Sequence, residues 1–225
     1  MKKTLCQIET LKILEKYSKK DDKVLISFSG GKDSLVILHL AMKYFKNIVP
    51  FHMYFVPHLD IYKKTLSILD TYNLKCLHYP HWSFLNALKE GVYCPNYTNF
   101  DELPNVTVID LYKNIRKDTN INYLFVGAKK TDSMWRRRNS KLVLNANPWL
   151  IYPIFEWNKF DVLGYLKANN IPYPIEHSYY GNSSGFDLKR ESIIWLYDHY
   201  REDFKKVKKW FPFIGSVIKH HQRFS

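Results

Sequence analysis

The sequence predicts an α/β fold, a doubly wound and mostly parallel sheet with helices on both faces and a helical extension at its C-terminal end. Short apolar runs alternate with stretches of helical apolar spacing over the first two thirds of the 225 residues. Two adjacent glycines, Gly30 and Gly31, directly follow the first apolar run. Beyond Lys141 the alternation stops, and prolines break the chain into short elements.

Each element follows from a local pattern. A first helix passes through Ile8, Leu11 and Leu14. Strands are expected at 24–28, 49–56 (with Pro50 near its start), 75–79 and 123–127. Later helices are expected at 34–45, 61–72, 84–88, 108–117, 159–167, 188–200 and 204–210, with a glycine- and serine-rich turn at 181–185.

The predicted sheet places its functional loops at one edge. Ligands of such folds bind at the carboxyl ends of the strands, beside the point where the strand order reverses. The loops after Phe28, Val56 and Val126 are therefore expected to converge on one site. We expect residues 1–170 to form the α/β domain and residues 171–225 to form an extension packed on it.

Composition narrows the class of protein. A hydrophobic fraction of 46% favours a packed globule over a disordered chain. No apolar stretch is long enough to span a bilayer and the N-terminus lacks the apolar core of a signal peptide, so we expect a cytoplasmic protein with no membrane partner. The formal charge of +13 favours phosphate-bearing partners, nucleic acid among them, although a lysine-rich composition alone also produces such a surplus.

The three cysteines carry little functional signal. Cys6, Cys76 and Cys94 have no pairwise metal spacing, and their odd number argues against a disulfide framework. We expect buried, unreactive thiols at all three positions.

The segment that joins the first strand to the next helix is the strongest functional signal. Backbone N–H groups at a strand–glycine–helix junction point at one spot, and the helix dipole adds positive potential there. Glycines let the chain approach an anion without a Cβ in the way. The spacing matches neither G-x-x-x-x-G-K-S/T nor G-x-G-x-x-G. The candidate phosphate-binding residues are Ser27, Ser29, Gly30, Gly31, Lys32, Asp33 and Ser34.

The segment Ser29 to Ser34 resembles the SGGxDS loop of the ATP pyrophosphatase (PP-loop) superfamily at every position. A second segment, from Gly127 to Arg138, resembles a loop of the phosphoadenylyl-sulfate (PAPS) reductase group. The motif of that loop is G-x-R-x-x-D/E-S followed by a later arginine. The group includes the FAD synthetase type of adenylyltransferase. Lys129 stands where that group usually has arginine. Asp132 and Ser133 keep the acid–serine pair of the motif. As a structural alternative, the arginine run would be a solvated charge cluster.

Two weaker matches extend the resemblance. The segment from Pro153 to Val162 is similar to the P-I/L-x-x-W…D-V segment of the group, which we interpret as core packing. Residues 171–174 with the turn at 181–185 are loosely similar to N-P-L-Y…G. The resemblance implies a Rossmann-like fold of the adenine nucleotide α-hydrolase type.

The resemblance also implies a nucleotide site. The nucleotide is ATP or a related adenine nucleotide such as PAPS, bound with Mg²⁺, and ATP is cleaved between its α and β phosphates. Asp33 would help hold the magnesium or cap the helix. The adenine would lie near Tyr54, Phe55 and Val56, a placement that rests on fold analogy. The other implied nucleotide-binding residues are Gly127 and Asp132, and the implied catalytic cations are Lys32 on the pyrophosphate and Lys129, Arg136 and Arg137 on the α phosphate or a second anion.

One departure from the group separates the possible activities. PAPS reductases use a C-terminal cysteine thiolate, and some hold an iron–sulfur cluster on four cysteines, whereas this sequence has no cysteine after Cys94. We therefore expect no iron–sulfur cluster and no PAPS reduction by this chain alone. Three hypotheses stay open: adenylylation of an acceptor, on a nucleic acid or nucleotide with a partner protein supplying sulfur; a non-catalytic nucleotide sensor; and sulfonucleotide reduction with a partner's thiol.

Overall fold

The computed structural model describes residues 4–95, 105–172 and 186–224. Their strands form one five-stranded parallel sheet in the order β3-β2-β1-β4-β5. The strands are β1 (Lys23–Ser27), β2 (Asn47–Tyr54), β3 (Leu77–Pro80), β4 (Leu124–Val126) and β5 (Leu150–Ile151). The order reverses between β1 and β4, so the predicted switch point lies between the loops that follow these two strands.

The helices agree with the predicted pattern and add to it. They are α1 (Leu5–Ser18), α2 (Lys32–Ala41), α3 (Asp60–Leu66) with a 3₁₀ turn (Ser67–Tyr72), α4 (Trp82–Lys89), α5 (Val108–Thr119), α6 (Met134–Ala146), α7 (Lys159–Ala168), α8 (Arg190–His199), α9 (Arg201–Trp210), a 3₁₀ turn (Pro212–Ile214) and α10 (Gly215–Phe224). The sequence did not predict β5, α6 or α10. The predicted turn at 181–185 lies outside the described residues.

Helices cover both faces of the sheet, as the predicted fold class requires. Successive strand residues point to opposite faces. On one face Val24 and Ile26 of β1 pack in the core cluster that includes α1, α2 and α7. On the other face Leu25 packs with α5 and with part of α6. The doubly wound α/β prediction is confirmed.

Two details of the core follow from single residues. Pro50 has no N–H to donate, and it lies where β2 pairs with β1 alone, because the pairing with β3 begins at Phe51. Trp157 is 1% exposed and donates from Nε1 to Thr10 Oγ1 at 2.8 Å. The prediction that the Pro153–Val162 segment serves packing is therefore confirmed.

The C-terminal helices pack against the end of β2 and against α4. Phe55, directly after β2, stacks on Phe211 with ring centroids 5.8 Å apart. Asp203 of α9 is 1% exposed and accepts hydrogen bonds from the N–H groups of Asp60 and Ile61 at 2.8 and 2.9 Å, so it caps α3. The division into residues 1–170 and 171–225 stays a prediction, because 173–185 lie outside the described residues.

Within the described ranges, the helices are all too short or too polar to cross a membrane.

Candidate functional site

The loop between β1 and α2 needs a glycine at one position. Gly30 has a φ of +72°, in the left-handed region that side chains disfavour. A Cβ at this position would lie 2.1 Å from Cγ2 of Thr65 and 2.9 Å from its carbonyl oxygen. Thr65 belongs to α3, so this helix fixes the loop from outside.

The N-terminus of α2 begins at a glycine. Its N-cap is Gly31, which has no side chain with which to cap the helix. Ser29 Oγ accepts from the Gly31 N–H at 3.3 Å, and Ser34 Oγ donates to the Gly31 carbonyl at 2.8 Å. The first-turn amides and the helix dipole therefore face the loop and favour an anion there. Asp33 lies inside the helix, so the alternative that it serves as the N-cap was wrong.

The loop after β4 comes close to the same helix N-terminus. A Cβ on Gly127 would lie 3.1 Å from the backbone carbon of Asp33 and 3.3 Å from the Ser34 nitrogen. The absence of a side chain thus lets β4 end directly against α2. The two loops that flank the switch point are held together at this contact.

A buried lysine links these loops. Lys129 is 4% exposed, and its Nζ lies 2.7 Å from Asp33 Oδ1 and 2.9 Å from Asp132 Oδ1. Arg136 Nη1 lies 2.7 Å from Asp132 Oδ2, and Lys32 Nζ lies 3.3 Å from Asp33 Oδ2. Cations and carboxylates therefore alternate across the site.

The two carboxylates differ in how they are held. Burial alone would raise the pKa of Asp132, but hydrogen bonds from Lys129 and the charges of Lys129 and Arg136 outweigh it and lower the pKa. Oδ1 of Asp33 is buried, and although Lys129 Nζ is 2.7 Å away, the pair lacks the alignment of a hydrogen bond. Asp33 Oδ1 is thus held in the site by its ion pair with Lys129.

These groups line a cleft of about 680 Å³ at the carboxyl edge of the sheet. Its cations outnumber its carboxylates, which suits a polyanion. The lining residues are Ser27, Ser29, Gly31, Lys32, Asp33, Ser34, Val126, Gly127, Ala128, Lys129, Thr131, Asp132, Arg136, Lys159 and Lys189.

Most predicted site residues line this cleft. Gly30 shapes the loop without lining the cleft, and four other predicted residues lie elsewhere. Arg137 is exposed on α6. Tyr54 lines a separate cavity of about 870 Å³, which also holds His58 from the loop after β2. Phe55 and Val56 are 6% and 0% exposed within the core under α8–α10. Only two of the three expected loops therefore converge on the cleft, and the nucleotide contacts of these residues stay predictions.

The structure adds five lining residues that the sequence reasoning did not select, of which Val126 and Ala128 flank Gly127 at the end of β4. Thr131 belongs to the loop after β4, Lys159 begins α7, and Lys189 precedes α8 and pairs with Asp187 at 2.9 Å. The local signal for Lys159 was its position directly after the N-cap Asn158. Cations are unfavourable at a helix N-terminus, so a lysine there indicates a role other than helix stability. Lys189 had no local signal, because only tertiary packing brings it to the cleft.

A comparison with protein families decides the relationship of the chain. The model of the phosphoadenosine phosphosulfate reductase domain matches residues 23–179, well over half of the sequence. The chain belongs to this family. The family is one of PP-loop enzymes that bind adenine nucleotides, so the resemblance seen in the glycine loop is confirmed.

The similar proteins are distant. An uncharacterized protein of Methanocaldococcus jannaschii is 28% identical over 168 residues, which cover 70% of this chain and 34% of that protein. The chain thus spans about a third of the length of this relative. What the present chain does is therefore a proposal and not a finding.

Among solved structures, the PAPS reductase of Candida auris in its phosphate complex superimposes with a TM-score of 0.51. The sequences are 15% identical, and the match covers 78% of this chain and 87% of that chain, which shows a shared fold. The U34-tRNA thiolase NcsA of Methanococcus maripaludis, solved with its 4Fe–4S cluster, gives a TM-score of 0.45 at 16% identity over 92% of this chain and 79% of that chain. This second likeness is too distant to carry an argument.

The prediction of three buried cysteines was wrong for two of them, because Cys6 and Cys76 are half-buried and Cys94 alone of the three is buried. Burial raises the pKa of Cys76 to about 12, and burial also raises the pKa of Cys94. All three cysteines are free. In the described ranges no three His, Cys, Asp or Glu side chains are grouped to hold a metal ion.

Proposed function

We propose that the chain is a PP-loop enzyme that binds ATP, or a related adenine nucleotide, and cleaves its α–β phosphate bond to adenylylate an acceptor. The observation that carries the proposal is the glycine-capped N-terminus of α2 at a cleft in which cations outnumber carboxylates. In the reaction an acceptor atom attacks the α phosphorus and the bond to the bridging oxygen breaks. Pyrophosphate leaves with the bonding electrons, and any acceptor proton passes to solvent.

The residues act by neutralising charge and by positioning. The amides from Ser29 to Asp33 bind the β and γ phosphates, and Lys32 stabilises the charge that develops on the leaving pyrophosphate. Lys129 and Arg136 face the α phosphate. Because Lys129 is held between two carboxylates, its ammonium is already oriented before the nucleotide binds.

The residues present also fit a magnesium ion bound together with phosphates. Mg²⁺ in nucleotide sites takes one or two carboxylates and completes its shell with phosphate oxygens and water. Asp33 and Asp132 are the two carboxylates of the cleft, and both are ion-paired with Lys129, so they would hold the ion together with phosphate oxygens. The ion would supply further charge neutralisation for the leaving group.

Family membership favours a second candidate, reduction of a sulfonucleotide. That reaction needs a thiolate to attack sulfur. Half-buried Cys76 and buried Cys94, with raised pKa values, do not provide one at neutral pH, so we infer that the thiol would come from a partner protein.

Pyrophosphate release from ATP with Mg²⁺, across a panel of acceptors, tests the proposal. We expect release by the wild type and by Lys19→Ala, which removes an exposed lysine of α1. Lys32→Ala should abolish it. Tight nucleotide binding without turnover would identify a sensor instead, and sulfite release that depends on an added thiol protein would identify a reductase.

A further inference from the structure

Helix α6 exposes apolar and cationic side chains together. Of its residues, all of which the structure describes, only Ser140 is buried. Met134, Trp135 and Leu142 are 60%, 63% and 71% exposed. Large exposed apolar side chains in a cluster mark an interaction surface.

The charges of α6 oppose its own stability. Arginines stand at three successive positions in its first turns, and the helix contains no acidic residue. Cations near a helix N-terminus are unfavourable because the dipole is positive there. Asp132 pairs with Arg136, but the guanidinium groups of Arg137 and Arg138 make no hydrogen bond or ion pair within the described part of the chain. A local arrangement that costs stability is expected at functional sites.

Helical spacing divides these residues between two sides. At 100° per residue Arg136 points to the same side as Ser140 and Val143, and it lines the cleft. The opposite side carries what we call the α6 face, formed by Met134, Trp135, Arg137, Arg138, Lys141 and Leu142. Arg138 lies at the centre of that face, between Trp135 and Leu142.

We propose that the α6 face is the docking surface for a single-stranded nucleic acid that presents the acceptor to the cleft, an inference that rests on the proposed function. Arginine and lysine bind the backbone phosphates, and the exposed indole of Trp135 offers a surface on which a base stacks. The helix is about 20 Å long. It begins at the cleft, because Arg136 in its first turn lines it, so a strand along α6 is led to the reacting phosphate.

Two other partners fit the face less well. A helix that lies on a membrane separates its apolar side from its charged side. On α6 the cation Arg138 lies among the apolar side chains. An acidic protein segment would satisfy the arginines but would leave the indole without a stacking partner.

Fluorescence anisotropy with labelled single-stranded RNA and DNA of about 16 nucleotides tests the proposal directly, without ATP. Arg137→Ala/Arg138→Ala should weaken binding at least tenfold and make the slope of log K against log salt less steep by about 1.4, about 0.7 for each lost phosphate contact. Trp135→Ala should weaken binding about tenfold. The matched control Lys208→Ala/Lys209→Ala removes two exposed lysines of α9 and should bind as the wild type does.

The outcomes separate this inference from the proposed function. The double arginine variant should melt no lower than the wild type, because it relieves the unfavourable dipole interaction, so lost binding would not reflect unfolding. The oligonucleotide that binds best should stimulate pyrophosphate release by the wild type but not by the double variant. Absent binding, equal loss in the α9 control, or tighter binding to anionic vesicles or to a polyglutamate peptide would overturn the docking surface. Pyrophosphate release with simple acceptors would then still support the proposed function. Conversely, oligonucleotide binding by a protein that does not bind ATP or PAPS would refute the proposed function but not the docking surface.

Discussion

Replacing Lys129 with methionine removes the charge that holds the two cleft loops together while keeping most of the side-chain length. Asp33 and Asp132 would then keep the cations Lys32 and Arg136, and Asp132 would also keep the backbone N–H of residue 129. Loss of one partner from a buried ion pair costs about 3–5 kcal/mol, and we take the lower end, about 3 kcal/mol, because two cations remain and Asp132 is partly exposed. In a chain of this size that loss lowers the melting temperature by roughly 6–12 °C.

Urea denaturation and thermal melts measure this effect. Lys130→Met is the matched control, since Lys130 forms an exposed pair with Glu156 and should change the free energy of unfolding by less than about 1 kcal/mol. The double variant Lys129→Met/Asp132→Asn should recover much of the stability, because it removes one unpaired charge, but not the nucleotide affinity. Equal unfolding free energies for Lys129→Met and Lys130→Met would refute the reasoning.

Three further predictions test the structure. Gly30→Ala should destabilise the protein by more than about 1–2 kcal/mol, because a left-handed Cβ alone costs that much and the new Cβ would also clash with Thr65. The control Gly164→Ala, in open space on α7, should stabilise the protein by about 1 kcal/mol in the same melts. Burial lowers the pKa of His52 to about 4, so the unfolded chain binds the proton first and about 3 kcal/mol of stability should be lost as the pH falls from about 6.5 to 4. Because burial also lowers the pKa values of His39 and His81, that slope, followed by urea denaturation, should become less steep in His52→Gln without vanishing. Asp203→Ala should cost about 2 kcal/mol in urea titrations because two partly buried N–H groups of α3 lose their acceptor, and Asp203→Asn should cost less.

The sequence revealed the parts of the fold and the site that local patterns encode. The apolar run, glycine pair and helix pattern around Gly31 sufficed to locate the strand–glycine–helix junction, because the residues that form it are adjacent in the sequence. The α6 helix was missed because its arginine run hides the apolar spacing of the partly buried Val143 and Leu144. Its local signal was the N-cap Ser133, whose Oγ accepts from the Arg136 N–H at 3.1 Å.

Long-range packing accounts for the rest. Strand β5 has two residues, too few for a periodic pattern. Phe55 and Val56 follow a strand at the ligand-binding edge, but α8–α10 bury them, and Phe211, which stacks on Phe55, is far away in the sequence. Lys189 reaches the cleft for the same reason, through tertiary packing that no local pattern encodes.

Titration calorimetry with ATP, PAPS, pyrophosphate and adenosine tests most directly whether the first-turn amides of α2 and the Lys32 side chain bind a phosphate tail. We expect heat from all three phosphate compounds, much weaker binding of adenosine, and a loss of about tenfold or more in affinity in Lys32→Ala, as for a hydrogen bond to a charged group. No heat from any of these compounds with folded protein, or an unchanged affinity in Lys32→Ala, would contradict the account.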